Sequence, residues 1–123
     1  MYKIKTLNPI SSLGLEILEP AKYTIADEIS NPDAILVRSA KMHDYAFNPE
    51  LLCIARAGAG VNNIPLERCA EEGIVVFNTP GANARAVVEL VFCGMLMAAR
   101  DIPGGMDWLQ TIADDPEVVD KVE

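Results

Sequence analysis

The sequence predicts an α/β fold: an open parallel sheet with helices on both faces. Three observations lead there. Short apolar runs recur, and Ala34-Ile35-Leu36-Val37 is wholly apolar, as parallel strands are when both faces are covered. Stretches with helical end signals alternate with these runs. The joining segments are short and rich in Gly, Pro and Asn, which favours βαβ units with right-handed crossovers.

Taken in order, Tyr2 to Leu7 alternates Ile and Lys with a β-branched and aromatic bias and reads as a first strand, closed by Asn8-Pro9. Ser11 or Ser12 is placed to cap a short helix through Leu15, Ile17 and Leu18, which Pro20 stops. Tyr23-Thr24-Ile25 is a brief second strand. Asn31-Pro32-Asp33 is turn chemistry before the strand Ala34 to Val37. Asn48 followed by Pro49 predicts one helical turn to Leu52, and Cys53 to Ala57 a further buried strand. Pro65 at the start and Gly73 just past the end mark a helix to Glu72, and Ile74 to Phe77 follows as a strand. Asn83 is placed to cap a longer helix from Ala84 to about Arg100, whose Val87, Leu90, Val91, Gly94, Met95, Leu96 and Ala98 form a surface too apolar for a lone helix. Pro103-Gly104-Gly105 is expected to break it, and Asp115-Pro116 to begin one more short helix.

At 123 residues the chain suits one ordinary domain, and half of its residues are apolar, so it should fold. Of the net charge of −8, −6 lies in residues 101–123, where seven acids meet one lysine. An acidic chain without a clustered Lys/Arg face lacks the footprint that phosphate backbones require, so nucleic acid is not an expected partner. No apolar run reaches the ~18 residues of a membrane span, and no apolar core follows Met1-Tyr2-Lys3, so a cytoplasmic location is expected. Cys53, Cys69 and Cys93 read as buried reduced thiols, with neither disulfides nor metal ligands expected.

The stretch Gly58-Ala59-Gly60, after an apolar strand, has the look of a dinucleotide fingerprint. It falls short of one. The third glycine position is Asn63, and the next strand ends at Asn78, where no carboxylate is available for a ribose. The physics of the loop remains: glycines let backbone N–H groups converge on a small anion near a helix start. The alternative is a tight turn whose glycines only supply permissive φ angles.

Two neighbours favour the anion cradle. Arg38-Ser39 ends one strand and Asn78-Thr79-Pro80-Gly81 another, so both should open on the same carboxyl edge as the glycine loop, where open α/β sheets bind ligands. Arg38 offers a fixed fork to carboxylate or phosphate, Ser39 a hydroxyl and Asn78 an amide. Against this stand plainer roles: Arg38 pairing with a surface acid, Ser39 and Asn78 tying turns, Arg56 as a solvated strand end. Lys41 and the sole histidine, His43, receive no chemistry.

The stretches ILVRSA and IARAGAGVNNIPLERCAEEGIVVFNTPGANARAVVELVFCGMLMAAR, across about residues 34–102, resemble the N-terminal part of D-isomer-specific 2-hydroxyacid dehydrogenases. The resemblance implies a flavodoxin-like, Rossmann-like α/β substrate-binding domain over 1–83, then a crossover helix and acidic segment over 84–123 leading to an NAD-binding domain that this chain lacks. It implies that Arg38, Ser39 and Asn78 line the substrate cleft, that the Gly58-Ala59-Gly60-Val61 backbone binds the carboxylate, and that Ala59 lies near the nicotinamide. Members usually carry Asp where Asn62 stands. The cofactor glycines and the catalytic Arg, Glu and His belong after residue 123, so these residues alone are expected to be inactive, to bind no cofactor or metal, and to come from a homo-oligomeric enzyme acting on a small 2-hydroxy acid. The rival from another class is a free-standing α/β interaction module whose gene stops near residue 123 and whose apolar helix finds a partner subunit.

Overall fold

The computed structural model describes residues 1–122. The chain divides into two compact units, Met1–Asn83 and a second beginning at Ala84. In the first, five strands form one sheet: β1 (Tyr2–Thr6), β2 (Tyr23–Ala26), β3 (Ala34–Val37), β4 (Cys53–Arg56) and β5 (Val75–Phe77), in the order β2-β1-β3-β4-β5 with every pair parallel. The expected open parallel sheet is present, and its carboxyl ends share one edge.

Register explains which side chains reach the interior. Ile35 pairs with Ile54 and Ile54 with Val76, so these three project from one face. Ile35, Val37 and Ile54 are fully buried there and pack with Met42, Leu51, Ile64, Cys69 and Ile74. The helix α2 (Leu66–Glu71) contributes Cys69 to this cluster. It ends as Pro65 and Gly73 suggest: Gly73 takes a left-handed φ of 74°, and the Ile74 N–H reaches back to the Cys69 carbonyl at 2.8 Å. Tyr2, Ile4, Tyr23, Ile25 and Ala34 lie on the opposite face by the same register. That face is covered at the β2 end by the segment that begins with α1 (Ser12–Leu15), whose Leu15 and Leu18 share a cleft with Tyr23 and Ile25.

One expectation about the connection from β3 to β4 changes. Asn48 to Leu52 is no helical turn but a single turn closed by Leu51 N–H to Asn48 carbonyl, 3.1 Å. The connection from β3 to β4 has no helix because it buries its own side chains: Met42 and Leu51 enter the core while Tyr45 and Phe47 pack on it. Arg68 of α2 holds that connection in place. Its Nη1 donates to the Tyr45 carbonyl at 2.8 Å and its guanidinium lies 4.3 Å from the centre of the Phe47 ring.

The second unit contains α3 (Ala84–Ala99), α4 (Ile102–Ile112) and α5 (Val118–Val122). α3 matches its predicted span. α4 overturns the expectation that Pro103-Gly104-Gly105 breaks helical structure. The break falls at Asp101, which adopts a left-handed φ of 46°, and Pro103 then sits in the first turn of the new helix, where its missing N–H costs nothing. Gly104 leaves room for the Asp101 carboxylate, which would meet any Cβ there. α5 begins as Asp115-Pro116 suggests, with the Asp115 side chain accepting from the Glu117 N–H at 2.9 Å and pairing with Lys121. All three cysteines are free, but only Cys69 is buried as expected: Cys53 is half-buried and Cys93 on α3 is exposed.

Candidate functional site

The carboxyl edge brings together the loops after β3, β4 and β5. Arg38, Ala57, Gly58, Thr79, Ala82 and Asn83 line one open cavity of about 480 Å³. Arg38 therefore stands on the same rim as the glycine loop. Its guanidinium makes no ion pair among the described residues, so the surface-acid role does not apply.

Backbone and side-chain bonds fix the loops to one another. The Ala57 N–H donates to the Val37 carbonyl at 2.8 Å, the Gly58 N–H to Thr79 Oγ1 at 2.8 Å, and the Thr79 N–H to the Gly58 carbonyl at 3.0 Å. Asn78 Nδ2 donates to the Ala59 carbonyl at 2.7 Å. Asn78 thus ties the glycine loop down and is not among the cavity-lining side chains. Gly58 spends its own N–H on Thr79. The N–H groups of Ala59, Gly60 and Val61 find no acceptor among the described residues.

Arg56, set aside in the sequence as a solvated strand end, is the cation nearest the loop. Its Nε donates to the Arg38 carbonyl at 3.0 Å, and its guanidinium occupies the space a Cβ would need at Gly58 and lies 3.8 Å from one at Gly60. Gly58 has a φ of 152°, where side-chain-bearing residues are rare. The glycine there serves two ends: a permissive backbone and a berth for Arg56.

The helix start does not contribute as expected. α2 begins only at Leu66 and runs 6 residues, so the loop's own N–H groups and the two arginines supply the positive potential. Asn63 shows why the third fingerprint glycine is absent: it is buried, and its Nδ2 donates to the Ala40 carbonyl at 2.8 Å while its carbonyl accepts from the Met42 N–H at 2.9 Å. His43 belongs to the same lacing, with Nε2 3.0 Å from the Asn62 carbonyl. A carbonyl only accepts, so Nε2 carries the proton.

Sequence reasoning missed Asn8. Its Oδ1 accepts from the N–H groups of Arg38, Ser39 and Ala40, each at 3.0 Å. Asn8-Pro9 read simply as the end of a strand, because nothing local signals a partner thirty residues away. Among the described residues no group of three or more His, Cys, Asp or Glu side chains is placed to hold a metal ion. No helix among them is long and apolar enough to cross a membrane.

The carboxyl edge of this all-parallel α/β sheet presents a glycine loop that shares a cavity with Arg38 and lies against the Arg56 guanidinium. The chain belongs to the D-isomer specific 2-hydroxyacid dehydrogenase family, whose catalytic-domain profile matches residues 10–112. It is 36% identical over 116 residues to D-3-phosphoglycerate dehydrogenase of Methanocaldococcus jannaschii, covering 84% of this chain and 22% of that one. It is 38% identical over 97 residues to the Homo sapiens D-3-phosphoglycerate dehydrogenase, covering 73% and 18%. Among solved structures, the NAD+-bound 3-phosphoglycerate dehydrogenase of Entamoeba histolytica matches with a TM-score of 0.61 and 29% identity, over 78% of this chain and 38% of that one. A 2-hydroxyacid dehydrogenase from Ketogulonicigenium vulgare Y25 matches with a TM-score of 0.69 and 26% identity, over 92% and 41%. The chain spans about a fifth of the length of the curated relatives it matches.

Proposed function

We propose that residues 1–83 form the substrate-binding part of an NAD-dependent D-3-phosphoglycerate dehydrogenase, which oxidises 3-phosphoglycerate to 3-phosphohydroxypyruvate at the entry to serine synthesis. The observation that carries this reading is the shared cavity of Arg38 and Gly58, backed by the Arg56 guanidinium. Arg38 supplies a charged fork from the cavity wall, while the free N–H groups of Ala59, Gly60 and Val61, which lie beside the cavity and do not line it, receive the substrate carboxylate, and Ser39 adds a hydroxyl from the neighbouring loop. Asn78 acts by holding Ala59, the residue assigned to the nicotinamide side of the cleft.

The residues present do not fit a dinucleotide. Asn63 fills the third glycine position, and Asn78 ends its strand without an acid. NAD therefore belongs to a domain outside residues 1–122, as do the groups that move hydride and proton. The second unit is read as the crossover into that domain. A cytoplasmic homo-oligomer completes the reading, its contacts favoured by the exposed apolar residues of α3.

The test is turnover and calorimetry with the full-length protein and 3-phosphoglycerate. Arg38→Ala is expected to raise KM about 10- to 100-fold, the worth of one charged hydrogen-bonding group. Unchanged affinity would remove Arg38 from the site. A second reading is a dehydrogenase of another 2-hydroxy acid, of glycerate, lactate or glyoxylate type; a structure described simply as a 2-hydroxyacid dehydrogenase, from Ketogulonicigenium vulgare, matches over 92% of this chain. A substrate panel separates the two, because only the first requires the distal phosphate.

A further inference from the structure

We propose that Asn8 is a positioning residue for this anion site, an inference that rests on the function proposed above. Three consecutive N–H groups, those of Arg38, Ser39 and Ala40, converge on the single oxygen Asn8 Oδ1, each at 3.0 Å. Such a concavity of successive amides suits an anionic oxygen, and here the chain fills it with its own side-chain carbonyl. The Asn8 oxygen has two lone pairs for three donors, so it defines the backbone path of the loop at its first three residues.

The same loop is held from its far side. Asn63 accepts the Met42 N–H through its carbonyl and donates to the Ala40 carbonyl through Nδ2. The Arg38 carbonyl, whose orientation is set by the bonded amides on either side of the residue, receives Arg56 Nε. Arg56 in turn packs against Gly58. An unbroken series of contacts thus runs from the end of β1 through the backbone of residue 38 to the glycine loop. Leu7 N–H to the Leu36 carbonyl, 3.0 Å, fixes the β1 end of that series. Asn8 sets where the Arg38 and Ser39 side chains leave the main chain and where Arg56 comes to rest, without itself lining the cavity.

The experiment uses the full-length protein with Asn8→Ala and Asn8→Asp. Two quantities are read: hydrogen-exchange protection of the amides at 38–40, and kcat and KM for 3-phosphoglycerate. Asn8→Ala is expected to lose protection at those amides and to raise KM about tenfold with kcat within about twofold, since binding geometry and not the reacting atoms is disturbed. In Asn8→Asp an oxygen occupies the same place, so protection returns and KM falls at least about threefold below the alanine variant. Lost protection with unchanged KM overturns the proposal, as does unchanged protection in Asn8→Ala. A KM in Asn8→Asp that stays at the alanine level despite restored protection overturns it too. Failure of the unsubstituted protein to turn over any 2-hydroxy acid defeats the proposed function instead, and exchange at residues 38–40 still reports whether Asn8 shapes the loop.

Discussion

Gly58 is the residue at which sequence and site meet most closely. A side chain added there faces a φ of 152° and the Arg56 guanidinium together. The guanidinium is the free end of a long side chain and moves aside, so the expected result of Gly58→Ala is a stability loss of about 1–3 kcal/mol from backbone strain alone. Urea unfolding measures it. A larger effect is expected on substrate KM, because the displaced Arg56 no longer backs the loop. The thiols behave differently from one another. Burial pushes the Cys53 and Cys69 thiols up from the ordinary thiol value, so both stay neutral through the physiological range. A raised folded value means their contribution to stability is complete at neutral pH and is lost as pH climbs through the thiol range and beyond. Stability measured from pH 7 upward is expected to fall on that side. Alkylation at pH 7 should label exposed Cys93 well before buried Cys69.

Among the elements, β3 and β4 carry the interior. Ile35→Ala or Ile54→Ala removes a fully buried side chain facing the same cluster, and each is expected to cost about 2–5 kcal/mol in denaturant unfolding. Such strands were legible because a short apolar run between turn residues has few other uses, and α2 and α3 because Pro, Gly and periodicity mark their ends. The loop after β3 was not. Its fifteen or so residues place Met42 and Leu51 in the core and pack Tyr45 and Phe47 against it without regular structure, an outcome decided by long-range packing and not by propensity. α4 was hidden for a related reason: Pro103-Gly104-Gly105 has the composition of a breaker, and only the left-handed Asp101 one step earlier makes the proline harmless. In the site, the placement of Arg38 beside Gly58 followed from strand direction alone. The parts played by Asn8, Arg56 and Asn63 did not, since each depends on a hydrogen bond to a residue about twenty or thirty positions away.

At the scale of the whole molecule, α3 presents Val87, Val88, Leu90, Val91, Phe92, Met95 and Leu96 all exposed, on more than one side of the helix. Helices apolar around their circumference occur where protein covers them. A protein of these 123 residues alone is expected to self-associate, and light scattering should show a mass that rises with concentration. Phe92→Glu together with Leu96→Glu should lower it, and a constant monomeric mass of the unaltered chain would argue against an interface there. The sheet has a different kind of consequence. With every strand running the same way, the loops after β3, β4 and β5 all open at one edge, and their exposed positions, unlike buried Met42, Leu51 and Ile64, lie outside the cluster of Ile35, Val37 and Ile54. Those exposed rim positions are therefore free to drift over evolutionary time while the scaffold beneath stays constant, and they are where divergence between members of the family should concentrate.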